Sequence, residues 1–242
     1  PPSLTALPMP PTMPARATGP DAIVDPDLLA GADPVRIAAN GMDATTQLLE
    51  AYVSTKAGPL TDALALDGMG AARDGLLAWH ADPDGPGAPA ARSRLAYAAL
   101  LSGICLAHAG LGGVHGLASP LGAQLPIPHG SACGTTLAGI TAANVAALEA
   151  RDPASPALAR YAVLGRLLAR LPEAAPDGEA RAALVTTLRA WTAQLAIPGL
   201  RHAGLDEAGI PAIVADARGS SMRTNPVVLS DEELTAVLRA AL

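Results

Sequence analysis

Apolar residues recur every three or four positions along much of the chain, which is the period of an amphipathic α-helix. The clearest repeat comprises Leu184, Leu188, Trp191 and Leu195. The apolar residues are mostly Ala and Leu, phenylalanine is absent and aromatic residues make up 2% of the chain. This composition favours closely packed helices over strands. We therefore predict an all-α fold, arranged as a helical bundle.

Cap and stop residues place the helix ends. Asp33 followed by Pro34 is typical of a helix start, Gly41 is expected to interrupt that helix, and Gly58 is expected to end the next one. Ser230 with Glu233 forms a capping box before the last apolar repeat. The other predicted helices cover 61–79, 90–109, 129–150, 154–170 and 178–196, with a short helical piece between His115 and a proline-rich turn.

The N-terminal segment interrupts this pattern, because seven of the first twenty residues are proline. Proline lacks an amide donor and restricts the residue before it, so no regular element is expected there. We predict an irregular lead-in over residues 1–21 and one helical domain over residues 22–242.

Residues 95–148 contain no Asp, Glu, Lys or Arg, and three of the five histidines lie within this stretch. The segment from Leu95 to Val114 has the length of a membrane span. Ser102, His108 and the following Gly- and Pro-rich sequence favour a buried core helix instead.

Charge and cysteine content bear on the protein's partners and on its location. The net charge of -6 with few aromatic residues argues against a nucleic-acid partner. Cys105 and Cys133 lie in the uncharged stretch, which fits buried thiols in a reducing compartment. No secretory signal pattern is evident, so we expect a cytoplasmic protein.

Four side chains are candidates for chemistry. His115 and His129 are 14 residues apart across the proline-rich turn, and Asp43 and Gln47 lie one turn apart on one helix face. Together they offer a metal two imidazoles and two oxygens. Core histidines satisfied by backbone carbonyls would show the same spacing, so both interpretations remain open at this point. Asp43 and Gln47 belong to a stripe on that helix with Glu50 and Ser54, and the simpler expectation is that this stripe is a solvated face.

Two long motifs resemble the iron-containing, or group III, alcohol dehydrogenase family: GMDATTQLLEAYVSTKAGPLTDALAL and AGLGGVHGLASPLGAQLPIPHG. The C-terminal SSMRTNPVVLSDEEL is also similar to that family's last segment. The resemblance implies the family's C-terminal helical domain, of the dehydroquinate synthase-like superfamily. It also implies an iron or zinc ion held by an aspartate and three histidines, beside a separate α/β domain that binds NAD(P).

Matched position by position, the resemblance implies that Asp43, His115 and His129 are metal ligands. Gln47 stands where the family has its remaining histidine and would contribute a weaker amide oxygen ligand. Ser119 stands where many members carry a histidine near the substrate. No counterpart of the α/β domain is found in this sequence, so we expect NAD(P) only if another domain supplies its site.

Three functions are consistent with these observations. The first is the metal-binding part of an oxidoreductase for a small alcohol or aldehyde. The second is a repurposed cleft that binds or transforms a small molecule without redox chemistry, with Ser119 and His115 as a proton-transfer pair. The third is a structural or interaction protein. A helical domain without its α/β neighbour would expose apolar surface, so we expect self-association or a partner subunit.

The positions of the remaining histidines are predicted from the neighbouring sequence. His80 and His202 are expected at the surface, and His108 in the core or cleft.

Overall fold

The computed structural model describes residues 23–242, so the lead-in predicted for residues 1–21 lies outside the described part. Within residues 23–242 every regular element is helical, which confirms the all-α prediction. The described part of the chain contains three short 3₁₀ helices and nine α-helices: α1 (Pro34–Val53), α2 (Pro59–Ala81), α3 (Ala88–Ala109), α4 (Gly113–Gln124), α5 (His129–Arg151), α6 (Pro156–Ala169), α7 (Asp177–Gln194), α8 (Ile210–Asp216) and α9 (Asp231–Ala240).

The start of α1 follows the predicted chemistry, because the Asp33 side chain accepts a hydrogen bond from the Arg36 amide at 2.9 Å and Pro34 is the first helical residue. The predicted break at Gly41 is wrong, since α1 is continuous through it. A Cβ atom at Gly41 would lie 2.2 Å from Cδ1 of Leu76. The glycine therefore allows α2 to approach α1 closely.

The helices α1 and α5 form the centre of the bundle. Helix α1 packs against α2, α3 and α5, and α5 also packs against α4, α7 and α9. Met42 on α1 and Leu137 on α5 are completely buried. At Gly130 the two backbones nearly touch, because a Cβ atom there would lie 2.0 Å from the Ala39 carbonyl oxygen.

The uncharged stretch does not form one straight span. Helices α3 and α4 meet at an angle of 102° after Gly110, whose φ of 73° favours glycine. Among the described residues only α5 is by itself long and apolar enough to cross a membrane, and 67% of its apolar window is buried in the bundle. The segment 95–114, for which a core helix was predicted, forms the end of α3 and the start of α4. One face of it is buried at Leu101, Cys105 and Val114, and the other is partly exposed at Tyr97, Leu100 and Leu106.

The C-terminal part confirms two further predictions. The apolar repeat of α7 is buried, and Ser230 and Glu233 form the capping box at the start of α9. Helix α8 was not predicted.

Candidate metal centre

Three helices bring four potential ligands together. Asp43 lies on α1, His115 in the first turn of α4, and His129 with Cys133 in the first two turns of α5. One donor atom from each side chain lies within 4.8 Å of the donor atoms of the other three. Of the four residues predicted as ligands from the sequence, Asp43, His115 and His129 are in this cluster.

Individual donor distances are short. Oδ1 of Asp43 is 3.2 Å from Nε2 of His115 and 3.6 Å from Nε2 of His129. The Cys133 sulfur is 3.7 Å from that Asp43 oxygen and from Nε2 of His129, and 3.8 Å from Nε2 of His115. The two imidazole centroids are 5.4 Å apart. All four side chains thus point toward one small volume.

The cluster has a buried wall and an open wall. His115 is 5% exposed and Cys133 is fully buried, whereas the side chains of Asp43 and His129 are 26% and 53% exposed. A small molecule therefore reaches the cluster from the side of His129.

Glu50 holds His115 from behind. One carboxylate oxygen lies 2.6 Å from Nδ1 of His115, and the other accepts the Val114 amide at 2.6 Å. Because Nδ1 donates to this carboxylate, Nε2 is left to face Asp43. A carboxylate behind a histidine is how metal-binding imidazoles are usually oriented. Glu50 is 3% exposed, so the predicted solvated face is wrong at this position.

The electrostatics of the cluster follow from these contacts. Burial lowers the pKa of His115, but its hydrogen bonds with Asp43, Cys133 and Glu50 outweigh burial and raise that pKa to about 12. Burial raises the pKa of Asp43, but its contacts with His115 outweigh this effect and lower the pKa overall. Burial raises the pKa of the Cys133 thiol to about 11. The site strongly favours positive charge between its two carboxylates.

The C-terminal segment supports the start of α4. The Asn225 side-chain oxygen accepts hydrogen bonds from the Gly113 amide and from Asn144, both at 3.0 Å. Thr224 donates to the Leu111 carbonyl at 2.5 Å. His115 is therefore positioned by residues more than a hundred positions away in the chain.

Comparison with known proteins decides the family. Residues 37–242 match the Fe-containing alcohol dehydrogenase family, C-terminal. The chain belongs to this family.

Two relatives and one solved structure illustrate the similarity. The chain is 34% identical over 227 residues to the 1-propanol dehydrogenase PduQ of Citrobacter freundii, covering 91% of this chain and 59% of that protein. It is 30% identical over 222 residues to alcohol dehydrogenase 4 of Saccharomyces cerevisiae, covering 91% and 54%. A crystal structure of 1,3-propanediol oxidoreductase superposes with a TM-score of 0.81 at 29% identity, covering 90% and 55%. The chain spans little more than half the length of these family members.

Gln47 lies beside the cluster, but its amide oxygen faces Ser102 instead of the other potential ligands. Its nitrogen donates to Oδ2 of Asp43 at 3.2 Å, and its oxygen accepts from Ser102 at 2.8 Å. The prediction that Gln47 supplies an oxygen ligand therefore does not match this geometry. The Asp43 carboxylate only accepts hydrogen bonds, so it selects the NH₂ end of the amide.

The predicted pair of Ser119 and His115 is not formed. Ser119 is exposed, and no hydrogen bond joins it to His115 in the described residues. Both ring nitrogens of His115 already face carboxylates. The structure therefore offers no support for Ser119 as a nucleophile activated by this histidine.

The other histidines are not among the four clustered ligands found in the described residues. His202 is exposed as predicted, and His80 is half-buried. His108 was predicted in the core or cleft; its side chain is exposed on α3, so the core position is wrong.

Two site residues were not recognised from the sequence. Glu50 follows Asp43 by seven residues, two helical turns, so the stripe itself was a signal. Cys133 follows His129 by four residues, the spacing that places two side chains on one helix face. Both signals were overlooked because the stripe was interpreted as solvated and the cysteine as a buried thiol.

Proposed function

We propose that this domain is the metal-binding part of an NAD(P)-dependent alcohol dehydrogenase or aldehyde reductase acting on a small alcohol or aldehyde. The observation that carries the proposal is the convergence of Asp43, His115, His129 and Cys133 within 4.8 Å. Carboxylate, imidazole and thiolate are ligands that suit divalent iron or zinc. The residues present therefore fit the metal that the family implies.

The buried and exposed walls of the cluster have different proposed roles. When bound, the ion would supply a Lewis acid that polarises the substrate oxygen. Glu50 fixes the ring of His115 on the buried wall. Asp43 and His129 lie on the exposed wall, where the substrate enters.

The cofactor is proposed to approach from the same open side. Hydride transfer requires the nicotinamide carbon to be held close to the alcohol carbon. The described residues form only helices and contain no strand-to-helix turn for a dinucleotide. We therefore propose that a further domain or subunit binds NAD(P) and covers the exposed wall.

The test combines metal content with turnover. The protein is purified from cells supplied with iron and zinc, and metal is quantified by elemental analysis. NAD(P)H oxidation with short-chain aldehydes is then measured with the chain alone and with candidate nucleotide-binding partners. We expect about one metal ion per chain, and turnover only in the presence of a partner. Protein that holds no divalent metal and supports no turnover with any partner overturns the proposal.

We also propose that the chain associates with itself or with a partner subunit. Tyr97, Leu100 and Leu106 on α3 are exposed large apolar side chains. An exposed set of this kind is usually covered in an assembly. Analytical ultracentrifugation at micromolar concentration is performed on the chain alone and on the chain mixed with candidate nucleotide-binding partners. A chain that remains monomeric in both samples contradicts this proposal.

We propose that the protein is cytoplasmic. Cys105 and Cys133 are both buried free thiols, which agrees with a reducing compartment. Fluorescence microscopy of the tagged full-length protein tests this location, and export from the cell contradicts it.

A further inference from the structure

The cysteine in the cluster is oriented like a ligand. Cys133 lies one turn after His129 on α5, so both side chains leave the same face of the helix. Its sulfur contacts Asp43, His115 and His129 at 3.7, 3.8 and 3.7 Å. A buried thiol that contacts three other potential ligands is placed differently from one packed among aliphatic side chains.

The other buried cysteine provides the contrast. Cys105 on α3 is also fully buried, but its sulfur lies 3.6 Å from the carbonyl oxygen of Thr61. It is absent from the cluster of potential ligands found in the described residues. Cys105 therefore serves as a control, in the same chain, for the effect of substituting a buried thiol.

Five of the six donor separations are close to those of a tetrahedral site. With metal–nitrogen and metal–oxygen bonds of about 2.0–2.1 Å and a metal–sulfur bond of about 2.3 Å, tetrahedral donor atoms lie about 3.3–3.6 Å apart. The five separations given above run from 3.2 to 3.8 Å. The sixth separation, between the donor nitrogens of His115 and His129, lies within 4.8 Å, so binding an ion would draw the two imidazoles toward each other.

In its observed orientation the Gln47 amide is not the fourth ligand. Its NH₂ group is held by Asp43, and its oxygen is held by Ser102. To become a ligand the amide would have to rotate and break both hydrogen bonds. The Cys133 sulfur already faces the other potential ligands and gives up only the thiol proton that it donates to Asp43.

We propose that the Cys133 sulfur is the fourth protein ligand of the metal, in place of the imidazole that the family's pattern would put at position 47. The inference rests on the proposed metal site and specifies its composition. On binding, a sulfur–metal bond forms and the thiol proton leaves to solvent. A set of one carboxylate, two imidazoles and one thiolate favours zinc over ferrous iron, because thiolate is a soft ligand and zinc binds such sites more tightly.

Cobalt substitution tests this composition directly. Metal-free protein is titrated with Co²⁺, and its absorption spectrum is recorded. We expect visible ligand-field bands together with a near-ultraviolet thiolate-to-cobalt charge-transfer band. In Cys133→Ser the charge-transfer band disappears and zinc affinity, measured by chelator competition, falls at least about tenfold. Cys105→Ser keeps both, and the wild type retains zinc in preference to iron when both are supplied.

The outcomes separate the two proposals. If the wild type binds no cobalt and no zinc, the metal site itself fails. If cobalt binds without a charge-transfer band, Cys133 is not a ligand and the metal site stands. Loss of the band in Cys105→Ser also overturns the inference. The wild-type spectrum decides the question even when circular dichroism shows that Cys133→Ser is unfolded.

Discussion

The carboxylate of Glu50 lies 2.6 Å from Nδ1 of His115, and both side chains are buried. The same carboxylate accepts the amide of Val114 at the start of α4. Glu50 therefore receives two N–H donors and couples the position of α4 to the orientation of a proposed ligand.

Glu50→Gln is predicted to weaken metal binding. Glutamine has one acceptor oxygen, so its NH₂ group would face one of the two donors. We expect zinc affinity to fall about 10- to 100-fold. The free energy of unfolding of the metal-free protein should fall by about 1–3 kcal/mol. Chelator competition and urea denaturation measure the two effects. Glu149→Gln, at an exposed ion pair with Arg181, is the matched control and should change neither much. Unchanged zinc affinity in Glu50→Gln would contradict an orienting role.

Gln47→His is predicted to change metal preference. The substitution places an imidazole one turn after Asp43, at the position the family's pattern assigns to a ligand. We expect iron retention to rise relative to zinc, measured by elemental analysis after growth with both metals. The double variant Gln47→His, Cys133→Ser should bind metal more tightly than Cys133→Ser alone. If the double variant is as metal-poor as Cys133→Ser, position 47 does not reach the ion.

Gly130→Ala is predicted to separate α5 from α1 next to His129. The new methyl group would lie 2.0 Å from the Ala39 carbonyl oxygen, and a backbone atom cannot move aside alone. We expect a loss of about 1–3 kcal/mol in the free energy of unfolding and weaker metal binding. Gly103→Ala on α3 is the control, because a Cβ atom there meets nothing within 4 Å. It should stabilise the protein by about 0.5–1 kcal/mol. Equal stability of the two variants would show that α5 adjusts freely.

Asp74 is predicted to make stability depend on acid pH. Arg73 binds its carboxylate at 2.8 and 2.9 Å, and Arg170 beyond the end of α6 binds it at 2.6 Å. The hydrogen bond from Arg73 is the main cause that lowers the pKa of Asp74 to about 2. A lowered pKa means that the stabilisation is complete above the unfolded value of 3.8 and is lost as pH falls toward 2.

The measurement is urea denaturation of wild type and Asp74→Asn across this range. Because the carboxylate is partly exposed, solvent screening limits the expected difference to about 1 kcal/mol near neutral pH. The difference should shrink as the solution is acidified below about pH 4. A difference independent of pH would mean that the substitution acts through packing and not through charge.

The sequence by itself predicted most of the helices, because their signals are local. The Asp33 and Ser230 caps and the apolar repeat of α7 involve residues only a few positions apart. Helix α8 has seven residues, too few for such a repeat to identify it. Asp43, His115 and His129 were found from motif spacing and family resemblance, and the structure brings them together.

Only the tertiary structure decided which side chains form the site, which of them are buried and how they are oriented. Whether Glu50 is solvated, which end of the Gln47 amide faces Asp43, and whether Cys133 contacts the histidines all depend on how α1, α4 and α5 pack. The same holds for Gly41, where contact with α2 and not helix propensity explains the glycine. Local sequence determines which face of a helix a residue occupies. The partner of that face is fixed by contacts between segments far apart in the chain, and those contacts distinguish a potential ligand such as Cys133 from a thiol such as Cys105.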